Sequence, residues 1–134
     1  MLTGMSRVLV VEDHEPMRAV MAAVLESMGH QVYQAGDGRE ALRVQQEAQA
    51  ELMLTDLFMP EMEGLETIRR MRASYPNLRI MAVSGGSSRG DAGDYLEMAV
   101  KLGATSSLRK PFTVREMTDA VTAIGFGAAS ADAR

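Results

Sequence analysis

The chain has 134 residues, of which 46% are hydrophobic and 24% charged, a composition that suits one folded domain and excludes a disordered chain. It has no cysteine, which excludes disulfides and cysteine-ligated zinc, and two histidines, which argue against a histidine-rich metal site. Its net charge of −4 argues against general binding to nucleic acid or to anionic membranes. No apolar run approaches the roughly 20 residues of a membrane span, and no export signal is visible, so we expect a cytoplasmic protein.

Short apolar runs alternate with longer segments of helical periodicity. Val8–Val11 is a continuous apolar run, as is typical of a strand buried on both faces. Pro16 suits the first turn of the helix that follows, and Gly29 suits its end. Further strands are predicted at Val32–Ala35, Leu52–Asp56, Ile80–Val83 and Ser106–Arg109, and further helices at Arg39–Ala48, Leu65–Ser74, about Asp91–Leu102 and after the cap Thr113.

Five strand–helix units in sequence predict an α/β fold. The expected architecture is a doubly wound, five-stranded parallel sheet of flavodoxin-like order 2-1-3-4-5 with five helices. We expect one domain over residues 6–124 and a flexible tail over residues 125–134.

Polar side chains follow the predicted strands at the edge where such sheets bind ligands. Asp13 follows strand 1 and Asp56 ends strand 3, on either side of the point where the strand order reverses. Ser84 and Lys110 follow strands 4 and 5. Clustered carboxylates of Glu12, Asp13 and Asp56 would repel one another unless a cation neutralised them, which predicts Mg²⁺. Asp56 could then attack phosphorus, with Lys110 and Ser84 contacting phosphoryl oxygens.

Five segments in order resemble the receiver domain of two-component response regulators, and together they span about residues 7 to 124. These segments are Val8–Asp13, Asp56–Gly64, Ala82–Gly85, Gly103–Ala104 and Lys110–Phe112. The resemblance implies that Asp56 is the phosphoacceptor. It also implies that Asp13 binds the metal directly, Glu12 through water, and Phe58 through its backbone carbonyl.

The same resemblance implies the roles of two further side chains. Ser84 would be the switch hydroxyl and Lys110 the lysine that contacts the phosphoryl group, with a cis bond between Lys110 and Pro111. The partner would be a histidine kinase or a histidine phosphotransfer protein.

The function implied is that of a stand-alone response regulator, because the chain ends after the fifth predicted helix. It would signal to an unknown downstream protein through residues 91–124, without binding nucleic acid directly or inserting into a membrane. No turnover of a separate substrate is expected, so the chain is not expected to be an enzyme.

Two departures from the receiver pattern bear on signalling. Receivers place Tyr or Phe three residues before the lysine, where this chain has Ser107. The stretch from Ser84 to Gly103 is also about four residues longer than usual, with a loop rich in glycine and serine. We hypothesise that ordering of this loop replaces rotation of the aromatic side chain.

Other functions remain open from the sequence. A phosphate sink or a degenerate receiver acting as a binding module would share the fold. A small phosphohydrolase with an Asp nucleophile would need a second Asp where Phe58 stands. A flavodoxin-like cofactor binder would need a phosphate-cradling loop after strand 1, where Glu12 and Asp13 would repel phosphate.

The remaining conspicuous residues have structural explanations. The twelve methionines are predicted to be core filler. His14 and His30 are predicted to be surface residues. Three arginines on one helix, Arg69, Arg70 and Arg72, are predicted to form a solvated face.

Overall fold

A computed structural model describes residues 6–57, 64–85 and 92–125. The strands are β1 (Arg7–Val11), β2 (Gln31–Ala35), β3 (Leu52–Asp56), β4 (Arg79–Gly85) and β5 (Ser106–Lys110). The helices are α1 (Glu15–Ser27), α2 (Gly38–Ala48), α3 (Gly64–Ser74), α4 (Ala92–Leu102) and α5 (Val114–Ala123). All four strand pairings are parallel and the order is β2-β1-β3-β4-β5, which confirms the predicted fold.

The central strands are apolar on both faces because helices cover both sides of the sheet. Successive side chains of a strand point to opposite faces, so Leu9 and Met53 belong to one buried cluster and Val10 and Leu54 to the other. Helices α2, α3 and α4 contribute to the first cluster, and α1 and α5 contribute to the second. This two-sided burial explains why β1 and β3 are continuous apolar runs in the sequence.

A side-chain cap marks the start of α5, and a proline and a glycine mark the two ends of α1. The hydroxyl of Thr113 accepts the Glu116 N–H at 3.0 Å, and the Glu116 carboxylate accepts the Thr113 N–H at 2.8 Å, so the predicted cap of α5 is confirmed. Pro16 lies in the first turn of α1, and Gly29, at a φ of 96°, follows its end. No helix within the described ranges is long and apolar enough to cross a membrane.

Two predictions about surface residues need correction. His30 is only 4% exposed, and its Nδ1 accepts the backbone N–H of Ser6 at 3.2 Å. The prediction that it is a surface residue was therefore wrong, whereas His14 is exposed as expected. Arg72 is also partly buried, because its guanidinium donates to the carbonyl of Gly103 at 2.7 Å and to that of Tyr75 at 3.2 Å. Its hydrogen bonds join the end of α3 to the loop after α4.

The other two arginines of α3 lie in solvent and pair with one carboxylate. Glu66 accepts hydrogen bonds from both Arg69 and Arg70, and these bonds lower the pKa of Glu66 from 4.5 to about 2. Because the pKa is lowered in the folded state, the stability gained from this carboxylate is fully present above pH 4.5 and is lost as the pH falls through about 2.

The titration of Glu66 can be followed directly by NMR of its side-chain carboxyl carbon. We expect a midpoint near 2 in the unaltered protein and a return toward 4.5 in the double variant Arg69→Gln, Arg70→Gln. A midpoint near 4.5 in the unaltered protein would show that the arginines do not hold this carboxylate.

Candidate functional site

The sheet brings three carboxylates of distant sequence position to one edge. Val11 of β1 lies beside Thr55 of β3 in register, so the next residues, Glu12 and Asp56, emerge from adjacent strands. Asp13 follows at once. Carboxylate oxygens of Glu12, Asp13 and Asp56 all lie within 4.8 Å of one another. The juxtaposition predicted from the strand order is therefore present.

The cluster differs in exposure across its members. Glu12 and Asp56 are buried, and Asp13 is exposed at the rim. Three negative groups at this distance repel one another, and oxygen ligands of this kind suit a hard divalent ion. The donor set therefore fits Mg²⁺. The predicted fourth contributor, the carbonyl of Phe58, lies outside the described residues.

Lys110 supplies the positive charge that faces this cluster. Its Nζ lies 3.0 Å from Oε1 of Glu12 and 3.6 Å from Oδ2 of Asp56. The lysine thus forms an ion pair with the predicted phosphoacceptor and donates a hydrogen bond to Glu12. The peptide bond between Lys110 and Pro111 is cis, as the resemblance implied.

Glu12 is held by protein donors at both carboxylate oxygens. Lys110 donates to Oε1 at 3.0 Å, and the backbone N–H of His14 donates to Oε2 at 3.2 Å. The predicted water-mediated contact from Glu12 to a metal stays a prediction. In this structure its carboxylate is the acceptor that ties β5 to the loop after β1.

Ser84 lies at the same edge of the sheet, at the end of β4. It is fully buried, and its hydroxyl donates to the carbonyl of Gly85 at 3.3 Å. Strand β4 includes both residues and so runs past its predicted end at Val83, because Ser84 pairs with Arg109 and Gly85 with Lys110 through backbone bonds. The proposed contact of the Ser84 hydroxyl with a phosphoryl oxygen stays a prediction.

Of the two departures from the receiver pattern, the one at Ser107 lies within the described residues. Ser107 is exposed on the edge strand β5, where it lies beside Ala82 of β4. Of the long loop after Ser84, residues 86–91 lie outside the described residues. The hypothesis that this loop carries the signal stays a prediction.

One residue near the site was not foreseen from the sequence. Arg18 of α1 donates from Nη1 to the backbone carbonyl of Glu12 at 2.9 Å. A lone arginine in the first turns of an amphipathic helix carries no signal that distinguishes it from a solvated side chain. Only its spacing, five residues after Asp13, could have suggested that it lies near the acidic pair.

Comparisons with known proteins show which proteins this chain resembles. The sporulation initiation phosphotransferase F of Bacillus subtilis is 30% identical over 115 residues, which cover 86% of this chain and 90% of that protein. The probable chemotaxis protein CheY of Rhizobium etli is 32% identical over 123 residues, covering 91% and 93%. The crystallised chemotaxis protein CheY4 of Vibrio cholerae superimposes with a TM-score of 0.81 at 28% identity, covering 90% of this chain and 98% of that one.

The family itself follows from the extent of these matches. The sequence pattern of the response regulator receiver domain matches residues 8–122, which begin within β1 and end within α5. The two relatives, at 30% and 32% identity, align over 90% and 93% of their own lengths. The chain therefore belongs to the receiver domain family of two-component response regulators.

Proposed function

We propose that the chain accepts a phosphoryl group on Asp56, in a Mg²⁺-dependent reaction, from a histidine kinase or a histidine phosphotransfer protein. The observation that carries this proposal is the position of Asp56 at the tip of β3. Its carboxylate lies within 4.8 Å of two further carboxylates and 3.6 Å from the Lys110 ammonium.

Each residue of the site has its own role in the proposed phosphoryl transfer. A carboxylate oxygen of Asp56 forms a bond to phosphorus while the bond from phosphorus to the donor's histidine nitrogen breaks. The electron pair of the broken bond stays on that nitrogen. Bound Mg²⁺ would supply positive charge to the carboxylates and to the phosphoryl oxygens. Asp13 and Asp56 would be its ligands, and Glu12 would contact it through water.

Lys110 would stabilise the negative charge that develops on the transferred phosphoryl group. Its ammonium lies between Glu12 and Asp56, so a small movement away from Glu12 would bring it onto a phosphoryl oxygen. The partly buried position keeps the interaction stronger than it would be in bulk water.

Lys110→Met is expected to slow phosphorylation by a small donor by about 10²-fold, which is the usual effect of removing one donor that stabilises developing negative charge. Methionine keeps the aliphatic stem but loses the ammonium. Phosphorylation rates are measured by intact mass spectrometry against time. Arg109→Met, one residue earlier and exposed, is the matched control and should react at the unaltered rate. An equal slowing in both variants would contradict a specific role for Lys110.

The output is proposed to be protein–protein contact rather than chemistry on a separate substrate. The relatives named above are a sporulation initiation phosphotransferase and a probable chemotaxis protein. On this proposal the chain gains and loses its own phosphoryl group without turning over another molecule. The cytoplasmic location stays a prediction.

The proposal is tested by incubating the protein with acetyl phosphate and following its intact mass. With Mg²⁺ present we expect a species heavier by one phosphoryl group. With EDTA in place of Mg²⁺ we expect none, because the acidic cluster would then repel the anionic donor. No adduct under either condition, or equal adduct under both, would contradict the proposal.

A further inference from the structure

Arg18 links the start of α1 to the ends of two strands. Its Nη1 donates to the backbone carbonyl of Glu12 at 2.9 Å, and its Nε donates to the side-chain oxygen of Gln34, on β2, at 3.2 Å. Among the described residues it forms no ion pair with a carboxylate. Lys110 contacts the acidic cluster directly, whereas the hydrogen bonds of Arg18 go to a backbone carbonyl and to a side-chain amide.

The backbone carbonyl that Arg18 contacts belongs to the peptide between Glu12 and Asp13. The N–H of Glu12 donates to the carbonyl of Ala35 at 3.1 Å, and its carbonyl accepts from Arg18, so the residue is held at both backbone groups. Asp13, by contrast, is exposed, and within the described ranges its carboxylate has no hydrogen bond or ion pair. The direction of the Asp13 side chain is then set by the peptide that precedes it.

We propose that Arg18 is a positioning residue of the metal site, which holds the Glu12 carbonyl so that the Asp13 carboxylate faces Asp56. This inference rests on the proposed function, because it assigns Arg18 to the site at which Mg²⁺ would bind. Partners that orient a ligand without touching the metal usually change metal affinity by 10- to 100-fold when removed.

Gly36 gives an independent way to disturb the same contact. A Cβ built on Gly36 would lie 3.3 Å from Nη1 of Arg18, closer than most real contacts of this kind. Gly36→Ala therefore presses on the guanidinium while leaving Arg18 itself in place. It should weaken the hold on the Glu12 carbonyl in the same direction as a change of Arg18, and by less.

The experiment measures Mg²⁺ affinity by calorimetry, with no phosphodonor present, and then the rate of adduct formation as a function of Mg²⁺. Arg18→Met keeps the stem and removes every donor, so its Mg²⁺ affinity should fall about 10-fold. Arg18→Lys keeps one donor nitrogen in place of the two that Arg18 uses and should lose less affinity, and Gly36→Ala should also lose less. Arg43→Met is the matched control, because Arg43 is an arginine on α2 whose side chain is 70% exposed, and its affinity should be unaltered.

The dependence on Mg²⁺ separates positioning from a general structural defect. Arg18→Met should need more Mg²⁺ for half-maximal phosphorylation and should reach the unaltered rate when Mg²⁺ saturates. Unchanged Mg²⁺ affinity in both Arg18→Met and Gly36→Ala would overturn the inference, and so would a lower rate at saturating Mg²⁺ with unchanged affinity. If the unaltered protein bound no Mg²⁺, the proposed function would fail, and this inference with it.

Discussion

Asp56→Asn is expected to abolish the phosphoryl adduct while leaving the fold intact. Asparagine has nearly the same shape but lacks the carboxylate that attacks phosphorus. The substitution also removes one of three negative charges whose oxygens lie within 4.8 Å of one another. Because like charges at that distance destabilise each other, the free energy of unfolding should stay the same or rise in the absence of metal.

Two measurements check this prediction. Intact mass spectrometry after treatment with acetyl phosphate and Mg²⁺ should show no adduct on the variant, and urea unfolding should show no loss of stability. Asp119→Asn, an exposed aspartate on α5, is the matched control and should be phosphorylated like the unaltered protein. An adduct that persists on Asp56→Asn would place the phosphoacceptor elsewhere.

Gly64→Ala is expected to damage stability and the site together. Gly64 opens α3 against the end of β3, where a Cβ would lie 2.3 Å from the carbonyl oxygen of Asp56 and 2.5 Å from Cα of Leu57. Both neighbours are backbone atoms and cannot rotate away. Either the end of β3 or the start of α3 must shift, and such overpacking costs about 3 kcal/mol of unfolding free energy.

The measurement is urea unfolding combined with the rate of phosphorylation by acetyl phosphate. Gly64→Ala should unfold at lower urea, and its folded fraction should be phosphorylated more slowly because the carboxylate of Asp56 moves with its backbone. Gly85→Ala is the stability control, since a Cβ there would lie 3.5 Å from Cβ of Lys110, an ordinary contact distance. Equal stability of the two variants would contradict the close approach described for Gly64.

The sequence predicts secondary structure best where burial requires a continuous run of apolar residues. Strand β3 begins at Leu52 and ends at Asp56 as predicted, because all of its residues are buried and Asp56 is the first charged one. Strand β5 is a harder case, since Ser106–Lys110 is an edge strand of alternating exposure with little apolar content. Its place was predicted from the repeat of strand–helix units. Its backbone pairing with β4, which does not depend on the side chains, extends it to Lys110.

The sequence predicts the surroundings of a side chain worst where that side chain forms a hydrogen bond with a backbone group far away in the sequence. His30 was expected on the surface, but it is buried and accepts a hydrogen bond from the backbone N–H of Ser6. Arg72 was expected in solvent, but it donates to a carbonyl 31 positions away. Arg18 was not singled out at all. Such contacts depend on where two strands or helices end in space, which periodicity along one segment does not encode.

The candidate site also has a part that the sequence predicts and a part that it does not. Strand order alone brought Asp13, Asp56 and Lys110 to one edge, and the structure has them there. The distribution of hydrogen bonds within the site was not predictable in the same way. Lys110 donates a hydrogen bond to Glu12 at 3.0 Å, whereas its contact with Asp56, at 3.6 Å, is an ion pair. The Glu12 carboxylate also accepts a hydrogen bond from the His14 N–H.

The most direct test of the central claim is to identify the residue that carries the phosphoryl group. The protein is phosphorylated with acetyl phosphate and Mg²⁺ and reduced with borohydride, which converts an aspartyl phosphate to homoserine, and its peptides are then sequenced by mass spectrometry. We expect homoserine at position 56 and unmodified residues at Glu12 and Asp13. Homoserine at position 13, or a phosphorylated protein with aspartate still at position 56, would contradict the account.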